Sequence, residues 1–470
     1  MTVRNASGGP IGISERNPHY FAYHGKEILL ITSAEHYGAV INKAFDYRRY
    51  FETLHEYGLN YTRIYPGTLV EEQGMFMEGN VLAPGEDLIV PWARSDTPGY
   101  IGGGNKFDLS EWDEEYFARL EDFLGCAQEK GIFVELCFFN GQSPRPWPFS
   151  PLHKDANIQG VGQCPPEDFQ TLRDAPLVEE QLRYVEKLIV STNHFDNVIY
   201  EFIDEPTIYK IESNPAYQWI SKMIDKAVEV ENKLPKKHLL AQQLEYGVNF
   251  ADDDRISLVV TQYVEATCRQ IGGMQALDNI YHLDKPIEDN ETAFLPMWYQ
   301  CDKAAASRLE AWEFMVGGGA GFNQLNGYFT VANPGGEDET NRRILSGLKN
   351  LRAFLEGMPF NEMTRDRRTV KNLSVGARVN GISKPGRYYA FYVHHSFFNV
   401  GDFYCTYYTP NFGEYRPVIT IDIPEGAYAL KWIEPETLRV LSEETITGGK
   451  IDIVSPKYTL DIAFTIVQKE

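Results

Sequence analysis

Short apolar runs alternate with longer stretches of helical period through the first three-quarters of the chain. Residues 19–33 read as a hairpin, Tyr20-Phe21-Ala22-Tyr23 turning at His24-Gly25-Lys26 and running into Ile28-Leu29-Leu30-Ile31-Thr32. An apolar run without alternation is what a strand buried on both faces requires. Phe45, Tyr47, Tyr50, Phe51 and Leu54 then share one face of a helix over 45–57, stopped by Gly58. A second strand, Leu59–Tyr65, closes at Pro66-Gly67. The spacing predicts a helix over 111–130, with Ser110 as N-cap and Trp112, Phe117, Leu120, Phe123 and Leu124 inward. Further strands are predicted at 132–139, 198–203, 238–243, 257–262, 285–291 and 322–325. Helices are predicted at 177–193, 214–232, weakly near 272–281, at 302–316 and at 342–356. Eight strands alternating with helices over ~350 residues predict a (β/α)8 TIM barrel with insertions, an α/β fold.

From about residue 358 the period changes. Short alternating segments without helices appear at Arg387–Val393, Phe403–Tyr408, Pro417–Ile423, Tyr428–Ile433, Lys450–Val454 and Thr459–Ile466, separated by turns such as Pro385-Gly386 and Gly448-Gly449. The expected division is a barrel over 1–357 and an antiparallel β-sandwich domain over 358–470. Within the barrel, 66–106 and 141–176 are far longer than usual connections, and such loops tend to carry function.

The balance of 44 basic against 66 acidic residues gives a net charge of −22. A surface this acidic repels phosphate backbones and anionic lipid, so no nucleic acid or membrane partner is expected. Six cysteines, at 126, 137, 164, 268, 301 and 405, show no C-x-x-C spacing, so neither a zinc knuckle nor a dense disulfide framework is expected. No His/Asp/Glu spacing suggests a metal site, no cofactor is implied, and the His394-His395 pair reads as surface. No apolar run reaches the roughly 18 residues that span a bilayer. The first residues do not read as a signal peptide, which suits a cytoplasmic protein, or a secreted or periplasmic one whose leader has been removed.

The chemistry concentrates at strand ends. Val198-Ile199-Tyr200-Glu201-Phe202-Ile203-Asp204-Glu205-Pro206 hands two carboxylates to a loop, and Pro206, lacking an N–H, cannot extend a central ladder. If 198–203 is the fourth strand and 286–290 the seventh, Glu205 and Glu291 both occupy the rim where barrel enzymes do their chemistry. Two carboxyls about 5–5.5 Å apart serve a retaining glycosidase, one attacking the anomeric carbon and the other protonating the leaving oxygen. Glu288 rivals Glu291, but it lies deeper in the strand with opposite parity, where a carboxylate needs a partner.

Ile203-Asp204-Glu205-Pro206 resembles the Asn-Glu-Pro signature on strand four of clan A retaining glycoside hydrolases. Lys285-Pro286-Ile287-Glu288-Asp289-Asn290-Glu291 is similar to their seventh strand, which carries the nucleophilic Glu. Leu59-Asn60-Tyr61-Thr62-Arg63 resembles their second strand, whose Arg steadies the nucleophile, and Gln262-Tyr263 their sixth, whose Tyr bonds to it. Trp432-Ile433-Glu434-Pro435-Glu436-Thr437 resembles the closing β-domain of cellulase-like members. The resemblance implies a retaining β-glycosidase acting on short or terminal β-linked glycosides of plant or microbial polysaccharides, with Glu291 as nucleophile and Glu205 as acid/base. Asp204 departs from the pattern. Where the family has an Asn to hold the sugar 2-hydroxyl, an Asp accepts a hydrogen bond but donates none, so either the 2-position contact is altered or another residue such as Asn140 supplies it.

Other polar and aromatic residues near strand ends are expected to meet substrate. Glu35, His36, Asn140, Gln324 and Asn326 could grip hydroxyls, and Trp147 and Trp298 could stack on sugar faces. Trp112, Trp219 and Trp312 fall in helix patterns and read as core. Two other classes fit the same fold: an idle carbohydrate-binding barrel, and a metal-dependent lyase or isomerase.

Overall fold

The computed structural model describes residues 8–207, 212–267, 270–400 and 406–469. Cys268 and Cys405 therefore lie outside the described residues, as does the start of the strand expected from Phe403. Eight parallel strands share one sheet: β1 (Leu30–Thr32), β2 (Tyr61–Ile64), β3 (Phe133–Asn140), β4 (Val198–Asp204), β5 (Leu239–Gln243), β6 (Leu258–Gln262), β7 (Ile287–Leu295) and β8 (Gly321–Asn326). The ladder runs from β1 through β8, β7, β6, β5, β4 and β3 to β2. The seam between β1 and β2 is closed by Asn60. Its amide donates to Leu29 O at 2.8 Å, and its Oδ1 accepts from Ile31 N at 3.1 Å. The chain is a (β/α)8 TIM barrel followed by a C-terminal β-domain.

Among the described residues seven α-helices accompany these strands, the last following β8: α1 (Tyr47–Glu56), α2 (Glu114–Glu129), α3 (Ala175–Thr192), α4 (Ser213–Glu231), α5 (Gly273–Asn279), α6 (Lys303–Val316) and α7 (Glu339–Glu356). Part of the acidic composition goes into starting them. Asp46, Asp113, Asp174, Asp302 and Asp338 each accept a backbone N–H in the first turn, where a carboxylate also faces the positive end of the helix dipole. Among the described residues, β5 and β6 are joined without a helix.

The helix expected from Ser110 begins three residues later. Asp113 takes the Tyr116 N–H at 3.0 Å, whereas the Ser110 hydroxyl donates to Asp108. Residues 105–112 are instead a strand paired with Trp92–Pro98, a hairpin that begins inside the long 66–106 connection and runs past its end. Trp112 ends that strand, 6.1 Å from the ring of Trp92. Trp219 and Trp312 are core, as expected.

Among the described residues the β-domain holds a folded-over seven-stranded antiparallel sheet and a separate two-stranded ribbon, Ser396–Val400 with Thr406–Pro410. The segments expected at 417–423 and 428–433 are a single strand, Val418–Ile433, bulged between Ile423 and Ala427. Its first half pairs with Val370–Leu373 and its second with Asp461–Gln468. Ile419, Ile421, Leu430 and Trp432 nevertheless share one apolar cluster with Phe391 and Phe464, so the two halves pack face to face.

This domain covers α6, every residue of which from Ala304 to Val316 is buried. Arg308 meets Asp461 through two nitrogens, at 2.8 and 3.1 Å. Glu313 accepts from Arg378 Nε at 2.8 Å and Asn380 Nδ2 at 2.7 Å, and lies 3.1 Å from the His394 ring. The expectation of a surface His394-His395 pair is overturned. Both rings are buried, and His395 stacks on Tyr415 at 3.4 Å with its Nε2 2.9 Å from the Tyr458 hydroxyl. A buried imidazole needs such partners: Glu313 of α6 supplies His394's across the domain interface, and Tyr415 and Tyr458 of the β-domain itself supply His395's.

Candidate active site

The barrel interior is polar. Tyr61, Arg63, Glu135, Cys137, Glu201, Glu288 and Asn290 point inward from β2, β3, β4 and β7, where most such barrels pack branched apolar side chains. Tyr61 donates toward both Glu135 and Glu288. Asn290 Nδ2 reaches Glu135 at 3.2 Å and Glu201 at 3.3 Å. Burial raises Glu135, Glu201 and Glu288 above the ordinary carboxylate range. Glu288 thus has the partner its depth requires.

Arg63 organises the next layer. Its Nε and Nη2 clasp Glu201, each at 2.8 Å; Nη2 also reaches Asp204 Oδ1 at 2.9 Å, and Nη1 lies 3.3 Å from Glu291 Oε2. Tyr37 and Tyr65 cover its guanidinium, with ring centroids 5.0 and 5.4 Å away. The planar fork suits this work, because one residue must hold three carboxylates at fixed angles.

Glu291 reaches this layer through an irregularity in β7. Thr261 pairs with Asp289 and the next residue, Gln262, with Glu291, so Asn290 is an extra residue opposite β6. A bulge of this kind re-aims side chains. It lets Asn290 and Glu291 both face the interior, which removes the parity difference expected between Glu288 and Glu291.

Above the layer opens a cavity of about 680 Å³ lined by Asp204, Glu205, Glu291, Asn140, Tyr263, His36 and Trp298, among others. Four non-glycine residues on its wall adopt left-handed backbone: Tyr37 (φ 54°), Phe76 (φ 61°), Glu205 (φ 50°) and Tyr263 (φ 64°). Strained residues of this sort persist where the surroundings hold them and cluster at functional sites. Glu205 is held by its own N–H, which donates to Gln243 Oε1 at 2.7 Å, and Tyr263 by its N–H to Glu291 O at 2.8 Å.

The two carboxyls sit in different surroundings. Burial, then the charges of Asp204 and Glu291, push Glu205 well above the usual carboxylate range, and among the described residues no cation lies within hydrogen-bond distance of it; Gln270 Nε2 lies 3.5 Å from its Oε1. Glu291 is also raised by burial and by Asp204, but Arg63 and a hydrogen bond from Tyr37 pull the other way. Asp204 is fully engaged: Oδ1 accepts from Arg63, and Oδ2 from the Tyr65 hydroxyl at 2.7 Å and Asn140 Nδ2 at 2.6 Å.

Four residues expected to meet substrate lie elsewhere. Glu35 caps a turn, accepting from Gly38 N at 3.0 Å and Ala39 N at 3.3 Å. Gln324 and Asn326 have the wrong parity in β8: Gln324 donates to Tyr299 at 2.7 Å behind the strand, and Asn326 to Asn341 of α7 at 2.8 Å. Their neighbour Leu325 lines the cavity instead. Trp147 is buried in its loop, donating to Cys164 O at 3.2 Å and packing edge-on to Phe169. Conversely, Tyr37, Tyr65, Glu71, Phe76 and Gln270 line the cavity without having been expected there. Tyr65 was within reach of sequence reasoning, standing two residues beyond Arg63 on the same side of β2.

Among the described residues, no group of three His, Cys, Asp or Glu could hold a metal ion, and no helix is long and apolar enough to cross a membrane. No family model matches the chain, and no curated protein matches it in sequence. Among solved structures, a glycoside hydrolase superposes over 100% of this chain and 99% of its own, with a TM-score of 0.65 at 11% identity. A glycoside hydrolase of family 5 from Bacteroides vulgatus covers 98% of this chain and 94% of its own, with a TM-score of 0.64 at 12% identity. Likeness at such low identity establishes a shared fold, barrel and β-domain together.

Proposed function

We propose that the protein is a retaining β-glycoside hydrolase acting by double displacement. The reading is carried by one observation: a carboxyl just past the end of β4 and one at the bulge within β7 share one cavity, with Glu291 touched by a guanidinium and Glu205 by the Gln270 amide. That asymmetry suits a nucleophile that must ionise and an acid that must keep its proton. In the first step a Glu291 oxygen bonds to the anomeric carbon as the glycosidic C–O bond breaks, and the Glu205 proton passes to the departing oxygen. In the second, Glu205 takes a proton from water, whose oxygen attacks the anomeric carbon and frees Glu291. Arg63 is the positioning residue for Glu291. Asp204, its oxygens already occupied by Arg63, Tyr65 and Asn140, orients those three side chains around the nucleophile. The glycoside hydrolase neighbours and the enclosed cavity support action on short or terminal β-linked glycosides.

A panel of aryl β-glycosides, with NMR of the first-formed anomer, tests the reading. The β-anomer should appear first, and Glu205→Gln or Glu291→Gln should each slow turnover by about 10²–10⁴-fold. Inversion of the anomer, or unchanged turnover in both variants, rejects it.

A further inference from the structure

The cavity has two unlike halves. Beside the acidic side formed by Asp204, Glu205 and Glu291, the wall is Leu69, Met75, Phe76, Phe294, Met297 and Trp298. Phe294 is the hinge of this wall: its ring packs edge-on to Phe76 and to Trp298, each at 6.0 Å, and lies 4.9 Å from the His36 ring. It follows Glu291 by three residues, so the apolar wall continues directly from the carboxylate.

A sugar ring makes a poor guest for such a wall. Each buried hydroxyl needs a hydrogen-bond partner, and leaving one unsatisfied costs about 1–3 kcal/mol, while Leu, Met and Phe offer no strong donors or acceptors. One aromatic face can carry the CH side of a sugar, but here methionines and phenylalanines stand beside the tryptophan. Two polar side chains are set into this half, His36 and Glu71, with His36 Nε2 3.6 Å from Glu71 Oε1 and Glu71 Oε2 accepting from Asn80 at 2.5 Å. Burial lowers the histidine to about 3 and raises the glutamic acid to about 8, so both are uncharged near neutrality. Arg145, also on the wall, is paired to Glu72 at 2.8 Å at the exposed mouth.

We infer that this half of the cavity takes an apolar aglycone, an alkyl or aryl group joined to the sugar that the acidic half holds, so that the substrates are glycosides of hydrophobic alcohols. The inference rests on the hydrolase reading and narrows it. A second sugar would meet unpaired apolar surface where an alkyl chain removes that surface from water.

The test compares methyl and octyl β-glycosides of whichever sugar the aryl panel favours, together with the corresponding β-linked disaccharide. The octyl glycoside should exceed the methyl one in kcat/KM by at least about tenfold, the equivalent of burying two methylenes. Phe76→Asn removes part of the wall at an exposed site whose left-handed backbone an Asn accepts. It should shrink the octyl-to-methyl ratio severalfold, chiefly through KM. Equal kcat/KM for the two glycosides, preference for the disaccharide, or an unchanged ratio in Phe76→Asn overturns the inference alone. Turnover of none of the three, with inert aryl glycosides, overturns the hydrolase reading and this inference with it.

Discussion

Asn140 spends its amide on its neighbouring strand: Nδ2 lies 2.6 Å from Asp204 Oδ2, where the Tyr65 hydroxyl also donates. Asp204 is therefore an acceptor ringed by three donors, counting Arg63. Asp204→Asn turns an NH₂ toward one of them and removes the charge, which should cost about 2–3 kcal/mol of stability. It also removes a like charge that helps to hold Glu205 protonated. The alkaline limb of the kcat/KM profile should move to lower pH. A profile that keeps its alkaline limb while stability falls would assign Asp204 to folding alone.

Arg63 should not tolerate its closest chemical relative. Arg63→Lys keeps a charge but cannot reach Glu201, Asp204 and Glu291 together. Glu291 loses the cation opposing its upward shift, so the acid limb of kcat/KM should rise in pH and turnover fall by roughly 10²-fold, about 3 kcal/mol in the barrier. The measurement is a pH series on both proteins. An acid limb that stays in place removes Arg63 from the nucleophile's electrostatics.

Stability should fall from pH 6.5 to 8. Burial raises Glu35, Glu71 and Glu310 to about 8 in the folded chain. Across the window from the unfolded value near 4.5 up to 8, the folded state holds protons that the unfolded state has released, so folding weakens as pH rises. The buried imidazole of His36, lowered to about 3, acts in the opposite sense but only below its unfolded value of 6.5. Above 6.5 the carboxyls act without that opposition. Thermal unfolding at three pH values in that window should show a steady decline, shallower in Glu35→Gln.

Strand ends were legible because burial on both faces leaves long apolar runs that stop at Pro, Gly or a charged pair. Glu205 and Glu291 follow from those strand ends and Arg63 and Tyr263 from the resemblance to the family's second and sixth strands, and the structure brings all four to one cavity or the layer beneath it. Where a side chain points was harder to read. Gln324 and Asn326 sit at a strand end but face the helices, a matter of parity that shifts with each bulge. The bulge at Asn290 has no composition signal. Helix starts were ambiguous where Ser110 and Asp113 could both cap. His394 and His395 looked exposed because their partners, Glu313 and Tyr458, are 81 and 63 residues away.

The link through Arg378 bears on how the chain can be divided. Its Nε holds Glu313 of the buried helix α6, and its Nη2 holds Glu265, two residues beyond Tyr263 on the cavity wall. The Tyr408 hydroxyl meets the same Glu265 at 2.8 Å. A stop at residue 357 would lay bare Arg308, Glu310 and Glu313 on a mostly apolar helix and free a segment that shapes the cavity. The whole chain should then melt in one transition, and the truncated barrel should be neither stable nor active. Two modules in the sequence should thus behave as one: a chimera that takes the barrel from this chain and the β-domain from another protein should fail to fold, whereas the two moved together should fold.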